Sequence, residues 1–264
     1  MASDRWAHSA RRTILAILGV PLVALFVLPL FGLLLRSTPE ALLSAARSPI
    51  VTQALGLTLL TTLAVVVITI VAGTPLAIML TTRTTPTHWL RTLIDIPAVL
   101  PPAVAGLALL TIFGRLGWFG QYLAEHGLFI PFTTTAVVLA QLFVAAPLYI
   151  KACMIAFDGL DPMLADAARI DGATAGQYWR LVVFPMTCAG MQAGIAMTTA
   201  RALGEFGATA LFAGSMPGRT RTMALAIYVS AESDPAAATA MSIILLATAL
   251  MLLILTNTRT ATHS

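Results

Sequence analysis

The chain has 264 residues, 58% of them hydrophobic and 10% charged, with a formal net charge of +4. Soluble domains carry about 25% charged residues, so this chain lacks the polar groups to cover a water-facing surface, and a bilayer is the solvent that suits it. The basic residues are scattered between apolar blocks, with no Lys/Arg stripe interleaved with aromatics. That excludes a nucleic-acid-binding module and fits attraction to anionic lipid. Cys153 and Cys188 have no Cys or His at metal-ligand spacing, so neither a disulfide framework nor a zinc site is expected.

A membrane-spanning helix needs about 20 mainly apolar residues. Six blocks meet that requirement, at about 13–35, 54–80, 93–113, 132–157, 181–212 and 236–255. Backbone in lipid must satisfy its own hydrogen bonds, so each block is expected to be helical. The expected fold is an all-α integral membrane protein of six transmembrane helices, one transmembrane domain over 1–264 with a helical loop at 158–180. The first block follows Arg11-Arg12 and precedes the small residues Leu43-Ser44-Ala45-Ala46, as a signal peptide would. Its apolar run of 23 residues (13–35) exceeds the usual signal-peptide core of about 7–15, so a retained helix is expected.

Orientation follows from basic residues in the short loops. With the N-terminus inside, the cytoplasmic segments hold Arg5, Arg11, Arg12, Arg83, Arg91, Lys151, Arg169, Arg180 and Arg259. The outer segments hold Arg36, Arg47, Arg115, Arg219 and Arg221. The bias of nine to five places both termini in the cytoplasm.

Three segments break the apolar pattern. The first is Ile94-Asp95-Ile96-Pro97-Ala98-Val99-Leu100-Pro101-Pro102. Its prolines remove helix donors, so either a helix starts near Pro101 or a helix kinks beside a pathway. The second is Arg201-Ala202-Leu203-Gly204-Glu205-Phe206-Gly207. Arg201 and Glu205 are four apart and share a helix face. The block around them spans 32 residues, 181–212, which predicts a break near Gly204 or Gly207. Charges at membrane depth face a partner or an aqueous cavity, so the pair is either a structural clamp or part of a gate or translocation pathway with Gly204 and Gly207.

The third segment is the charged loop from Asp158 to Arg180. Asp161 suits an N-cap, Pro162 the first helical position, and Gly172 the C-terminal stop. Thr174-Ala175-Gly176-Gln177 reads as a capping box for the next helix. The loop is therefore expected to be a short helix, a glycine turn and a second helix. Ala165, Ala167 and Ala168 would give it a small-residue surface on which a partner can pack.

Asp166-Ala167-Ala168, then Gly172, then Val182, Phe184 and Pro185 resembles the Glu-Ala-Ala loop of importer permeases of the ATP-binding-cassette class. The spacing matches throughout, with Asp166 for Glu, Val182 for Ile and Phe184 for Leu. The resemblance implies that Asp166, Ala167, Ala168, Gly172 and Pro185 belong to an element docking into a cytoplasmic ATPase subunit. Because the chain has no phosphate-binding loop ending in Gly-Lys-Ser/Thr, ATP and Mg²⁺ are expected on that partner and no cofactor on this chain. Arg201 to Tyr228, Leu100 to Leu107 and Ala140 to Pro147 are similar to the molybdate permease subfamily, with Ser215 where those permeases commonly carry Asn. Sulfate and thiosulfate permeases share the Arg-Ala-Leu-Gly-Glu-Phe-Gly core, whereas Pro217-Gly218-Arg219-Thr220 leans toward molybdate. The family implies a second copy of the chain, two ATP-binding subunits and an extracytoplasmic oxyanion-binding protein, in a cell membrane. Gly190 and Gly194 offer close packing, either within one subunit or between two.

Two other classes fit less well. An intramembrane enzyme needs a Ser–His pair, a carboxylate pair or a zinc site, yet His8, His88, His126 and His263 all fall in loops or tails. A secondary transporter or channel could use Asp95 and Glu205 for protons, but would not need the punctuated loop. The two halves also show no repeat of the kind many such transporters carry.

Overall fold

The computed structural model describes residues 2–81 and 88–257, with side chains for 18–81 and 88–256. The side chains of Arg5, His8, Arg11 and Arg12, together with Arg83, Arg259 and His263, lie outside the described residues. Among those described the chain is helical, with no strand.

Helix α1 (Ala2–Leu35) is followed by the short α2 (Pro39–Arg47). Thr38 caps α2 by accepting the Ala41 N–H, and Pro39 occupies its first turn. Helix α3 (Pro49–Thr81) is the expected second span, lengthened at its N-terminal end. Along α1 the stretch 18–35 has no buried residue and touches α13 (Pro235–Asn257).

The expected third span is not one helix. It comprises α4 (His88–Val99) and α5 (Pro102–Phe113), bent by 114°. The Leu100 N–H still donates to Ile96 O, and the next helical bond runs from Ala105 to Pro101 O. Between them Pro101 and Pro102 have no N–H to offer the carbonyls of Pro97 and Ala98. Each piece has 12 residues, about 18 Å at helical rise, which is short of the ~30 Å hydrocarbon core. Neither crosses alone.

After α6 (Trp118–Glu125), helix α7 (Thr134–Asp158) forms the centre of the fold. It packs along α3 on one side and α10 (Phe184–Leu203) on the other. The contact with α3 buries Val65, Ala77 and Leu80, and Thr74 and Tyr149 hydroxyls bond across it at 2.7 Å. The contact with α10 is set by small residues. A Cβ on Gly190 would lie 2.6 Å from Ala156 Cβ, and one on Gly194 3.0 Å from Ala152 Cβ. The glycine pair therefore serves packing within the subunit.

Between α7 and α10 lie α8 (Met163–Ile170) and α9 (Ala175–Tyr178). The fifth block ends as expected in a break. Helix α10 stops at Gly204 and the six-residue α11 (Gly207–Phe212) follows. Helix α12 (Met223–Ser233) begins where the Met223 N–H donates to Thr58 Oγ of α3 at 2.8 Å. Helix α13 is the sixth expected span.

Candidate functional site

The two candidate regions sit at opposite ends of α10, whose 20 residues make a rod of about 30 Å.

At its N-terminal end, α8 is fixed by local bonds. The Met163 N–H donates to Asp161 Oδ1 at 2.9 Å, so Asp161 caps the helix one residue further out than the N-cap position. At the other end the Ala173 N–H donates to Ala168 O and the Gly172 N–H to Arg169 O. This paired closure needs a left-handed residue between, and Gly172 supplies it at φ +77°. The Thr174–Gln177 capping box is present in full.

Helix α8 then presents two faces. Leu164, Ala165 and Ala168 turn inward, and Ala165 and Ala168 help line a recess of about 250 Å³ against Tyr178 and Trp179. Met163, Asp166, Ala167 and Ile170 form the outer stripe. Met163 is 73% and Ile170 85% exposed. The expected small-residue surface is thus divided: Ala167 belongs to the free stripe, while Ala165 and Ala168 belong to the recess. Asp166 pairs with Arg169 at 3.3 Å in the open, an exposed pair worth about 0–1 kcal/mol.

The loop is tied to the spans by features the sequence reading did not identify. A π turn over Trp179–Val183 joins α9 to α10, with the Phe184 N–H donating to Trp179 O. It ends two residues before Pro185, which has no N–H for Leu181 O and crowds that carbonyl. Trp179 stacks edge-on against Phe157 of α7 and packs on Phe184. Arg91 of α4 donates twice to Leu80 O at the end of α3 and once to Asp158 at 3.1 Å. Lys151 pairs with Asp95 at 2.9 Å. Three helix ends and the start of the loop are thereby held together, and Asp95 serves this brace.

At the far end of α10, Arg201 and Glu205 form the expected pair at 2.6 Å. Glu205 is 1% exposed, whereas the Arg201 side chain is 33% exposed. Glu205 Oε1 accepts the Ala208 N–H at 2.8 Å and so caps α11, while Oε2 faces the guanidinium. The carboxylate is spent within the fold, and the guanidinium is the part left facing outward.

The proline-rich segment and this break, separate in sequence, come together. A Cβ on Gly207 would lie 2.5 Å from Pro102 Cβ, and one on Gly106 2.8 Å from Ala208 O. The half-helices α5 and α11 therefore meet backbone to backbone. Beyond α11, the segment 213–222 is pinned by Arg221, which donates to Ser215 Oγ and Ser215 O. It is also pinned by Thr134, which donates to Arg219 O. A further contact comes from α7, where Gln141 Nε2 donates to Ala202 O at 3.0 Å. No local pattern in the sequence points to that bond.

Comparison with known proteins fits this architecture. Residues 73–258 match the family described as "Binding-protein-dependent transport system inner membrane component". The molybdenum transport system permease protein ModB of Mycobacterium tuberculosis is 39% identical over 209 residues, 79% of this chain and 78% of that one. A probable sulfate transport system permease protein, cysT of Prototheca wickerhamii, is 32% identical over 199 residues, 75% of this chain and 77% of that one. A permease-fold chain in the crystal structure of a bacterial alginate ABC transporter, complexed with an alginate pentasaccharide-bound periplasmic protein, superposes with TM-score 0.74. It covers 96% of this chain and 95% of its own length at 17% identity, a likeness of fold alone. The chain belongs to the family of binding-protein-dependent transport system inner membrane components, as a multi-pass permease subunit of an ABC importer and not itself an enzyme.

Proposed function

We propose that this permease carries molybdate into the cytoplasm as a dimer with a second copy of itself. In this proposal two ATP-binding subunits supply the energy, and an extracytoplasmic binding protein delivers the oxyanion. The observation that carries the substrate is the 39% identity, across most of both chains, to a permease named for molybdenum transport.

The free stripe of α8 supports the docking role. It offers Met163, Asp166, Ala167 and Ile170 to a cleft on the ATPase, with Asp166 engaged within its own chain only by the exposed pair with Arg169. ATP and its Mg²⁺ are bound by that partner. Asp166, Ala167 and Ala168, with Gly172 and Pro185, set the shape of the element. The unburied apolar surface of α1 leaves room for lipid and for the second subunit. Arg201, Gly204, Glu205 and Gly207 line or gate the pathway, with the exposed guanidinium offering positive charge to a dianion. Both termini are cytoplasmic, in keeping with the excess of basic residues in the segments assigned to that side.

The test is uptake of labelled molybdate by cells lacking this chain, with and without its restoration, challenged by excess tungstate or sulfate. Restored uptake blocked by tungstate and not by sulfate is the expected outcome. Restored sulfate uptake without molybdate uptake would move the substrate to sulfate. That second reading is favoured by the similarity to sulfate permeases.

A further inference from the structure

We propose that Gln141 is the positioning residue of the Gly204 break. Its amide holds the end of α10 in the arrangement seen here and exchanges partners when the break changes shape during transport. The inference rests on the proposed role of the Arg201–Gly207 segment in the pathway.

Gln141 is 1% exposed on the central helix α7. Its Nε2 donates to Ala202 O, two residues before the break. That carbonyl already accepts the Glu205 N–H at 3.2 Å, so the bond is not needed to satisfy an orphaned backbone group. Meanwhile Gln141 Oε1 is buried with no donor, a cost that an apolar side chain of the same size would avoid.

The surroundings repeat the pattern. Val65 of α3 packs against Ala145 and Ala202. Thr62 and Thr69, one turn to either side on the same face of α3, have buried hydroxyls without a partner. At the break itself, Phe206 and Gly207 stand at the N-terminal end of α11, where a helix leaves its first N–H groups without an intrahelical partner. The seam between α3, α7 and α10 thus carries acceptors and donors that a single packing leaves unused. Three of the buried side chains without a full set of partners, Thr62, Thr69 and Gln141, share this seam, and two alternative packings of it would use these groups in turn.

The experiment uses the assembled transporter, with its ATPase and binding protein, in liposomes, comparing wild type with Gln141→Met and Gln141→Glu. Methionine keeps the volume and removes both polar groups; glutamate keeps acceptors and removes the donor. Gln141→Met is expected to keep or raise the unfolding midpoint and to retain the ATPase. It should also raise the ATP hydrolysed per ion delivered by about fivefold or more, the low end of ordinary coupling. Gln141→Glu should uncouple as well. In wild type, ATP with vanadate should change hydrogen exchange across residues 203–208, and Gln141→Met should abolish that change. Wild-type coupling and a wild-type exchange response in Gln141→Met would overturn the proposal. So would a lower midpoint with uptake reduced at an unchanged ATP-to-ion ratio, which is the mark of a merely structural residue. If the wild-type complex carries no molybdate, the proposed substrate fails, while the exchange response needs nucleotide and no oxyanion and still decides the role of Gln141.

Discussion

An ion pair at each of the two candidate regions does a different job. Asp166–Arg169 lies in the open beside the N-terminal end, with both partners more than 70% exposed. Arg201–Glu205 lies at the C-terminal end, with its carboxylate 1% exposed. The helix, stop and cap at the first end are spelled by bonds between residues close in sequence, and longer-range contacts tie the loop as a whole to the spans. The second is built from contacts among α5, α7 and α11, and exists only inside the fold. The first leaves the outer stripe of α8 free, whereas the second spends its polar groups inward.

Substitutions can break that contrast. Glu205→Ala should have the largest effect, leaving Arg201 unpaired beside apolar helices and uncapping α11. Removing one partner of a buried pair costs about 3–5 kcal/mol, so the unfolding midpoint in detergent should fall steeply. Glu205→Gln keeps an acceptor for Ala208 and should lose less stability while impairing transport or its coupling to ATP hydrolysis.

Next come the two glycines. Gly207→Ala puts a methyl into Pro102 and should cost about 1–3 kcal/mol by overpacking. Gly172→Ala meets open space but must hold φ +77°, which costs about 1–2 kcal/mol. Asparagine sharpens the difference, because it tolerates the left-handed region. Gly172→Asn should restore most of the loss in midpoint, and Gly207→Asn should lose more than Gly207→Ala. The opposite order would mean that the two ends do not differ as described.

The smallest stability effect belongs to Asp166→Ala, at about 1 kcal/mol or less. If the outer stripe of α8 docks the ATPase, the same substitution should lower recovery of the ATPase with purified permease. Unchanged recovery would remove Asp166 from that surface.

The same contrast explains what could be read from the sequence. Asp161, Gly172, Thr174 and Gln177 act on residues within five positions of themselves, so α8, its stop and the next capping box follow from local spelling. The break at Gly204 could be expected from a block too long for one crossing. The prolines at 97, 101 and 102 announced an interruption. Its 114° bend and the docking of α5 on α11 were hidden, because Gly106 and Gly207 reveal their purpose only against Ala208 and Pro102. Gln141 and Arg91 were equally silent, since their partners Ala202 and Asp158 lie 61 and 67 residues away. Helices α2, α6 and α12 escaped because each is too short to register as a span.

Helix α10 has a mechanical consequence. Mid-length, its regular ladder is packed tightly on α7, and a packed helix is stiff. At one end the π turn widens the ladder and at the other the chain leaves it at Gly204, so compliance is concentrated at the two tips. A stiff link between two joints passes on displacement with little attenuation and bends only where it is jointed. Movement imposed at Phe184 would therefore arrive at Leu203, about 30 Å away, as a shift or rotation of the whole rod. Lengthening the rod by a residue would turn one joint about 100° relative to the other without loosening either.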